Sequence, residues 1–214
     1  MVENVRHGIQ VSNYVEMRLD ALEPGRIKEA LDPVREHIGR VICTIRSPEE
    51  SGRYQGTEKQ RIRDLEMVAK YRPAMLDVEY ETLEANKGLF ARLNTRLLVS
   101  KHIGTVPPTD YLRGLASGMK QYGYAKIACM ARNEEDTKSV MRLYTGGMQN
   151  RLVAFCTGKA GADTRIHSQC LGAPFTYAYL TSPTEEGQRN VGETRDMLAH
   201  CPVCGNEKTY GIGG

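Results

Sequence analysis

One lysine of the chain stands in a strand-like and almost wholly apolar run, Tyr124-Ala125-Lys126-Ile127-Ala128-Cys129-Met130. A helical pattern ends at Gly123 before this run and another begins at Asn133 after it, which is typical of a parallel strand buried on both faces. A buried ammonium is costly unless it is paired or its pKa falls, and a lysine of lowered pKa is a nucleophilic amine. Taken alone, the pattern favours a simpler interpretation, a lysine that extends to the end of its strand.

Other ionisable side chains lie within further apolar runs or at their C-terminal ends. His102 ends one run, and carboxylates and arginines occupy similar places in three others, namely Glu16, Arg18, Arg46, Asp77 and Glu79. Because the C-terminal strand ends form the mouth of an eight-stranded barrel, we expect these side chains to converge there. For any single pair, a structural salt bridge between strands is an equally good interpretation.

Together these residue types indicate lysine-imine catalysis. Lys126 would attack a carbonyl carbon, and the resulting iminium would acidify the neighbouring carbon. Histidine titrates near neutrality, so His102 is suited to moving that proton. Asp77 or Glu79 would fix the histidine tautomer, and arginines would hold a substrate carboxylate through bidentate hydrogen bonds.

The elements that must position these residues are strand-like runs that alternate with helical patterns. The predicted strands cover residues 14–20, 41–46, 75–80, 96–102, 124–130, 151–158 and 174–180, and one of the predicted helices covers 27–38. This alternation predicts an α/β protein with a parallel sheet, and a closed (β/α)8 TIM barrel is the natural candidate. The count is one strand short, and residues 1–13 resemble the end of a helix. The first strand is therefore expected to be missing or atypical.

Length and composition fit an ordinary globular protein. The chain has 214 residues, of which 40% are hydrophobic and 26% charged, and we expect one barrel domain over residues 1–200 and a cysteine-containing tail over 201–214. The net charge of +3 is too small to indicate nucleic acid or an anionic membrane as a partner. Without a signal-peptide pattern or a membrane-spanning apolar run, the expected location is cytoplasmic.

The cysteines suggest two different environments. Cys43, Cys129, Cys156 and Cys170 are scattered, and the first three lie in apolar runs, which indicates buried free thiols in a reducing compartment. The segment from Cys201 to Cys204 has the spacing of half a zinc site. A structural site needs four ligands, which His167, His200 or a second copy of the chain would have to complete. An unligated tail is the favoured alternative.

Seven short motifs follow one another along the chain, each in a matching strand context. They are Glu16 to Asp20, Thr44 to Gly52, Asp77 to Glu79, Ser100 to His102, Lys126 to Ala128, Gly158 to Ile166, and Gly187-Gln188. In this order they resemble type I 3-dehydroquinate dehydratase, the Schiff-base enzyme of the shikimate pathway, over about residues 14–200. The resemblance implies a (β/α)8 barrel, a homodimer, no metal and no cofactor besides the covalent imine.

The resemblance also implies roles for single residues. Lys126 would form the imine with the C3 ketone of 3-dehydroquinate, His102 would take the C2 proton and then assist loss of the C1 hydroxyl, and Glu50 would help to order and protonate the leaving side. The residues that would bind the substrate are Glu16, Arg18, Arg46, Arg165, Tyr177, Thr184 and Gln188. Among these, Arg165 matches the clamp for the substrate carboxylate, Tyr177 an aromatic wall, and the last two a closing loop.

The chain departs from the family pattern at several positions. No counterpart of the first-strand substrate contact precedes Asn13, Phe155 and Thr157 replace methionines of many relatives, and Ile103 follows the histidine instead of aspartate. Two alternatives therefore stay open. One is another class I Schiff-base barrel lyase or aldolase, although no phosphate-binding glycine loop follows the last strands. The other is a catalytically silent barrel that acts as an interaction protein.

Overall fold

The computed structural model describes residues 2–23, 25–201 and 212–213. The chain divides into two units, Met1–Ser100 and Lys101–Gly214. The prediction of a single domain over residues 1–200 stays a prediction.

The first unit carries parallel strands that follow one another in chain order. Helix α1 (Val2–Val11) precedes β1 (Val15–Arg18), which confirms that the first residues are helical. Strand β1 pairs with β2 (Val41–Thr44), β2 with β3 (Met75–Glu79), and β3 with β4 (Leu97–Ile103), whose last three residues belong to the second unit. Every residue of β2 and β3 is buried, as expected for a parallel sheet covered on both faces.

One predicted helix of the first unit changes its form part-way along, and residues 80–85 form a helix that was not predicted. The predicted helix 27–38 is α-helical only as α2 (Ile27–Leu31) and continues as the 3-10 helix Asp32–Arg40, because Pro33 has no N–H for the α-helical hydrogen bond. Helix α3 (Glu58–Ala69) begins with a capping box between Thr57 and Gln60. Two short helices, α4 (Tyr80–Ala85) and α5 (Lys87–Phe90), lead to β4.

The second unit also alternates strands and helices. Its elements are α6 (Thr109–Lys120), β5 (Tyr124–Met130), α7 (Glu134–Met141), β6 (Leu152–Thr157), α8 (Thr164–Cys170), β7 (Thr176–Tyr177), α9 (Val191–Ala199) and β8 (Ile212–Gly213). Strands β5 and β6 pair in parallel, with Lys126 opposite Val153 and Cys129 opposite Cys156. The seventh strand is shorter than predicted and pairs with β8, which the sequence pattern did not predict.

The cysteines follow the sequence expectation in part. Cys43, Cys129 and Cys156 are free and buried. Cys170 lies beside Cys201, with their Cα atoms 7.2 Å apart, a pairing that was not predicted from the sequence. The reason is packing, since α8 and α9 bring Cys170 and Cys201 into one apolar cluster with Ile166 and Leu198. Cys201, the first cysteine of the predicted zinc half-site, packs against this cluster, and Cys204 lies outside the described residues.

Two features of the described residues bear on location and metal binding. No helix in the ranges 2–23, 25–201 and 212–213 is long and apolar enough to cross a membrane. In the same ranges, no group of three or more histidine, cysteine, aspartate or glutamate side chains is arranged to hold a metal ion.

Candidate active site

Arg46 follows β2 and is the centre of a buried network in the first unit that reaches Asp77 of β3 and Ser100 of β4. Its Nη2 donates to Oδ1 of Asp77 at 2.9 Å, and its Nη1 donates to Oγ of Ser100 at 2.7 Å. The Ser100 hydroxyl also donates to Oδ1 of Asp77 at 2.6 Å. Burial alone would lower the pKa of Arg46, but the charges of Asp77 and Glu79 raise it, so the guanidinium is a permanent cation.

Glu79 links this network to helix α3. One carboxylate oxygen, Oε1, accepts from the backbone N–H of Ser47 at 2.9 Å and lies 3.2 Å from Nη1 of Arg46. The other oxygen, Oε2, accepts from Nη1 of Arg61 at 2.6 Å. Arg61 also donates to the Ile45 carbonyl at 2.9 Å. Arg61 was not predicted as a site residue from the sequence, although it lies on the buried face of α3 four positions before Leu65.

Strand β1 places Glu16 and Arg18 beside β2. The hydroxyl of Thr44 donates to Oε1 of Glu16 at 2.7 Å. Arg18 donates to both carboxylate oxygens of buried Asp20, at 2.8 and 2.9 Å. Burial alone would raise the pKa of Asp20, but the hydrogen bond and charge of Arg18 lower it below the ordinary value. Arg18 is thus oriented by a carboxylate that stays ionised.

The loop after β2 carries Glu50 close to Arg46. Glu50 ends a 3-10 turn, Pro48–Glu50, and its Oε2 lies 3.8 Å from Nη1 of Arg46. Gly52 closes the loop by donating its backbone N–H to the Ser47 carbonyl at 2.8 Å. A Cβ atom at position 52 would lie 2.0 Å from the carbonyl oxygen of Arg46, so only glycine fits there.

In the second unit, Lys126 is buried beside an aromatic cluster. Its side chain belongs to the middle of β5, only 5% of the residue is exposed, and Nζ lies 4.4 Å from the centre of the Tyr177 ring. Phe155 and Phe175 pack against that ring with centroid distances of 5.9 and 5.7 Å. A cation that is removed from water is stabilised by the negative face of such a ring.

Arg165 contacts the same aromatic cluster from a position near the start of α8. Its guanidinium carbon is 4.4 Å from the centre of the Phe155 ring, and its Nη2 donates to Oε2 of Glu185 at 2.6 Å. Burial lowers the pKa of Arg165, and the charge of Glu185 partly opposes that effect. Glu185 could not be predicted from the sequence, since two consecutive glutamates in a polar loop give no sign of which one turns inward.

Thr184 and Gln188 lie in this loop and bond to each other. Oε1 of Gln188 accepts from the backbone N–H of Thr184 at 2.9 Å and from its hydroxyl at 3.0 Å. Gly187 has a φ of +81°, and a Cβ atom there would lie 2.8 Å from the carbonyl oxygen of Gly158. The loop is therefore seated on the connection between β6 and α8.

His102 is a half-buried residue near the end of β4, in the part that belongs to the second unit. The first unit thus brings together Arg46, Glu50, Asp77 and Glu79, and the second brings together Lys126, Tyr177 and Arg165. The role of Asp77 or Glu79 in orienting His102 stays a prediction.

Comparison with known proteins identifies relatives over nearly the whole chain. A family model described as type I 3-dehydroquinase matches residues 1–201. The chain is 32% identical over 204 residues to a 3-dehydroquinate dehydratase of Methanopyrus kandleri, covering 92% of this chain and 90% of that protein. It is also 32% identical over 191 residues to the enzyme of that name from Methanothermobacter thermautotrophicus, covering 87% and 84%.

Solved structures show the same fold. A 3-dehydroquinate dehydratase from Geobacillus kaustophilus matches with a TM-score of 0.79 and 21% identity, covering 92% of this chain and 83% of that one. The corresponding protein from Aquifex aeolicus matches with a TM-score of 0.74 and 24% identity, covering 92% of both chains. Together with the parallel strands of each unit, this likeness confirms the predicted α/β fold of the (β/α)8 TIM-barrel class.

Proposed function

Because this chain belongs to the type I 3-dehydroquinase family, we propose that it removes water from 3-dehydroquinate, giving 3-dehydroshikimate, through an imine formed on Lys126. The reaction makes it a hydro-lyase of aromatic amino-acid biosynthesis. The observation that best supports the imine is the placement of Lys126, a buried amine in the middle of a strand with an aromatic ring 4.4 Å from its Nζ. Family membership also favours dehydration over the aldolase alternative.

In the first step, the Lys126 ammonium gives up one proton and the neutral Nζ attacks the C3 carbonyl carbon of the substrate. The carbonyl oxygen receives that proton and a second one from the nitrogen and leaves as water. The iminium that results carries one positive charge, as the lysine ammonium does. The ring of Tyr177 stabilises this cation, and burial of Lys126 keeps bulk water away from it. The iminium withdraws electrons from C2 and so acidifies the C2–H bond.

In the second step, His102 takes the C2 proton and the bond electrons form an enamine. The enamine electrons then expel the C1 hydroxyl, which leaves as water after receiving a proton from His102. Glu50 assists on the leaving side, as the family resemblance implies. Hydrolysis of the imine releases the product and returns Lys126 to its amine form.

Several arginines have substrate-binding roles in this proposal. Arg165 holds the carboxylate, which is supported by its burial and by the carboxylate that it already binds. Glu16, Arg18 and Arg46 keep the substrate-binding roles that the resemblance implies, and Thr184 and Gln188 belong to the closing loop. The chain is further proposed to be a cytoplasmic homodimer that uses no metal.

Borohydride reduction of the purified protein with 3-dehydroquinate, followed by peptide mass spectrometry, tests the imine. Reduction turns the imine into a stable secondary amine, so we expect a substrate-sized adduct on the peptide that contains Lys126. The Lys126→Ala variant, shown to be folded by its thermal melting curve, is the control and should give no adduct and no turnover. An adduct on another lysine, or turnover by the variant, would contradict the assignment.

A further inference from the structure

We propose that Glu185 is an internal ligand of Arg165. Its carboxylate occupies part of the binding site of the substrate carboxylate until the substrate displaces it. This inference rests on the proposed function, in which Arg165 binds that carboxylate. Glu185 then sets how tightly carboxylate substrates bind and excludes analogues that lack the carboxylate.

The contact between the two residues is close, and its arginine side is shielded from water. Oε2 of Glu185 accepts from Nη2 of Arg165 at 2.6 Å, with the two side chains 36% and 4% exposed. The nearest additional acceptor of Arg165 is weak, since the carbonyl oxygen of Cys156 lies 3.5 Å from Nη1. Glu185 is thus the main anionic partner that the structure gives to this cation.

The contact uses only some of the N–H donors of the guanidinium. Arginine binds a carboxylate best through two parallel N–H donors. Here Nη2 bonds to one oxygen of Glu185, whereas Nε of Arg165 is buried and has no hydrogen-bond partner among the described residues. A substrate carboxylate that engages both Nε and Nη2 would make the stronger pair, so Glu185 can be displaced.

The burial of Arg165 explains why an internal carboxylate is useful. The guanidinium packs on the Phe155 ring, and burial lowers its pKa, which measures the cost of removing this cation from water. A buried cation without a counter-charge destabilises a fold strongly. Glu185 supplies that counter-charge before the substrate arrives, and the substrate supplies it afterwards.

Exchange of one carboxylate for the other requires little movement of the loop. Gly187 is seated against the Gly158 carbonyl and Ala162, and Arg189 is paired with Asp163. These contacts hold the loop independently of Glu185. The glutamate side chain can therefore turn outward while Thr184 and Gln188 stay in place.

An internal ligand reduces apparent affinity, because the substrate binds only the fraction of molecules in which Arg165 is available. Glu185→Gln removes the charge and Glu185→Ala removes the contact. We expect the KM for 3-dehydroquinate to fall in both variants, by about 3-fold to 10-fold in the alanine variant. Glu186→Gln is the matched control, because Glu186 is the exposed neighbour on the same loop and carries the same charge.

A binding experiment separates this proposal from the proposed function. Quinate, which has an alcohol in place of the C3 ketone, keeps the carboxylate but cannot form the imine. Its dissociation constant, measured by calorimetry, should fall in both Glu185 variants and stay unchanged in Glu186→Gln. The thermal melting curve of each variant shows whether it is folded.

Each outcome has a distinct meaning. If the Glu185 variants bind quinate as the unaltered chain does, or more weakly, the internal-ligand proposal is wrong, even where turnover and the Lys126 adduct are normal. If quinate binds more tightly but the unaltered chain neither turns over 3-dehydroquinate nor forms an adduct, the internal ligand stands and the proposed function fails.

Discussion

Arg61 and Glu79 form an ion pair inside the first unit, with Nη1 of the arginine 2.6 Å from Oε2 of the carboxylate and side-chain exposures of 1% and 3%. The second oxygen of Glu79 lies against Ser47 and Arg46. Arg61 therefore neutralises and orients the same carboxylate that helps to hold Arg46. An arginine of helix α3 thereby supports one that is proposed to bind substrate.

Replacing Arg61 with methionine should destabilise the chain. The change removes one of the two arginines that neutralise the buried Glu79 carboxylate. We therefore expect the free energy of unfolding in urea to fall by about 3 kcal/mol. Arg63→Met, an exposed position on the same helix, is the control and should leave the urea midpoint unchanged. Equal midpoints for both variants would show that the Arg61 pair contributes nothing measurable.

Replacing His102 with alanine should separate imine formation from proton transfer. Loss of a general acid–base residue slows the reaction by about 10² to 10⁴-fold, which is the expected fall in kcat. The borohydride adduct on Lys126 should still form, because the lysine is untouched. A variant that turns over at the normal rate would remove His102 from the proposed mechanism.

The Arg18–Asp20 pair should contribute a pH-dependent term to stability. The pKa of Asp20 is lowered in the folded chain, so the carboxylate stabilises the fold fully above its ordinary pKa of about 4, and this stability is lost as the pH falls through the lowered pKa. When the free energy of unfolding in urea is measured from pH 7 to pH 2, it should therefore fall less steeply in Asp20→Asn than in the unaltered chain. Asp110→Asn, an exposed partner of Arg113, is the control. The same acid profile for Asp20→Asn and the unaltered chain would refute this linkage.

Replacing Gly52 with alanine should disturb the loop that carries Glu50. The new Cβ atom would lie 2.0 Å from the Arg46 carbonyl oxygen, so the loop must move. A displacement of about 1 Å at a catalytic group can cost about 10²-fold in rate, and we expect a fall in kcat of that order. Gly39→Ala meets no atom within 4 Å and should retain normal kinetics. Normal kinetics for both variants would mean that the loop position does not limit the reaction.

The parts of the fold that follow local patterns could be predicted from the sequence. Strand β5 has the predicted bounds, because its apolar run is flanked by a glycine and a helix cap that act locally. Helix 27–38 was predicted as one α-helix, but it becomes a 3-10 helix from Asp32 onward, because the effect of Pro33 on the helical hydrogen bonds outweighs the apolar spacing. The same holds for the site residues. Lys126 could be predicted from the sequence because it is the one charged residue within an apolar run.

Other contacts depend on how distant segments pack, and sequence patterns do not encode them locally. Arg61 lies among apolar residues on the buried face of its helix, and its partner Glu79 is 18 positions away. Glu185 meets Arg165 across 20 positions, and Cys170 meets Cys201 across 31. For these residues, the three-dimensional fold rather than the spacing selects the partner.

The contact between Tyr177 and Lys126 has a consequence for the design of covalent inhibitors. The ring attracts positive charge on Nζ at 4.4 Å, whatever number of bonds the nitrogen makes to carbon. A reagent that leaves the nitrogen charged, such as an aldehyde trapped by reduction to a secondary ammonium, keeps this attraction. An acylating reagent turns the nitrogen into a neutral amide, which loses the attraction to the ring. Carbonyl-based inhibitors therefore suit this lysine better than acylating ones.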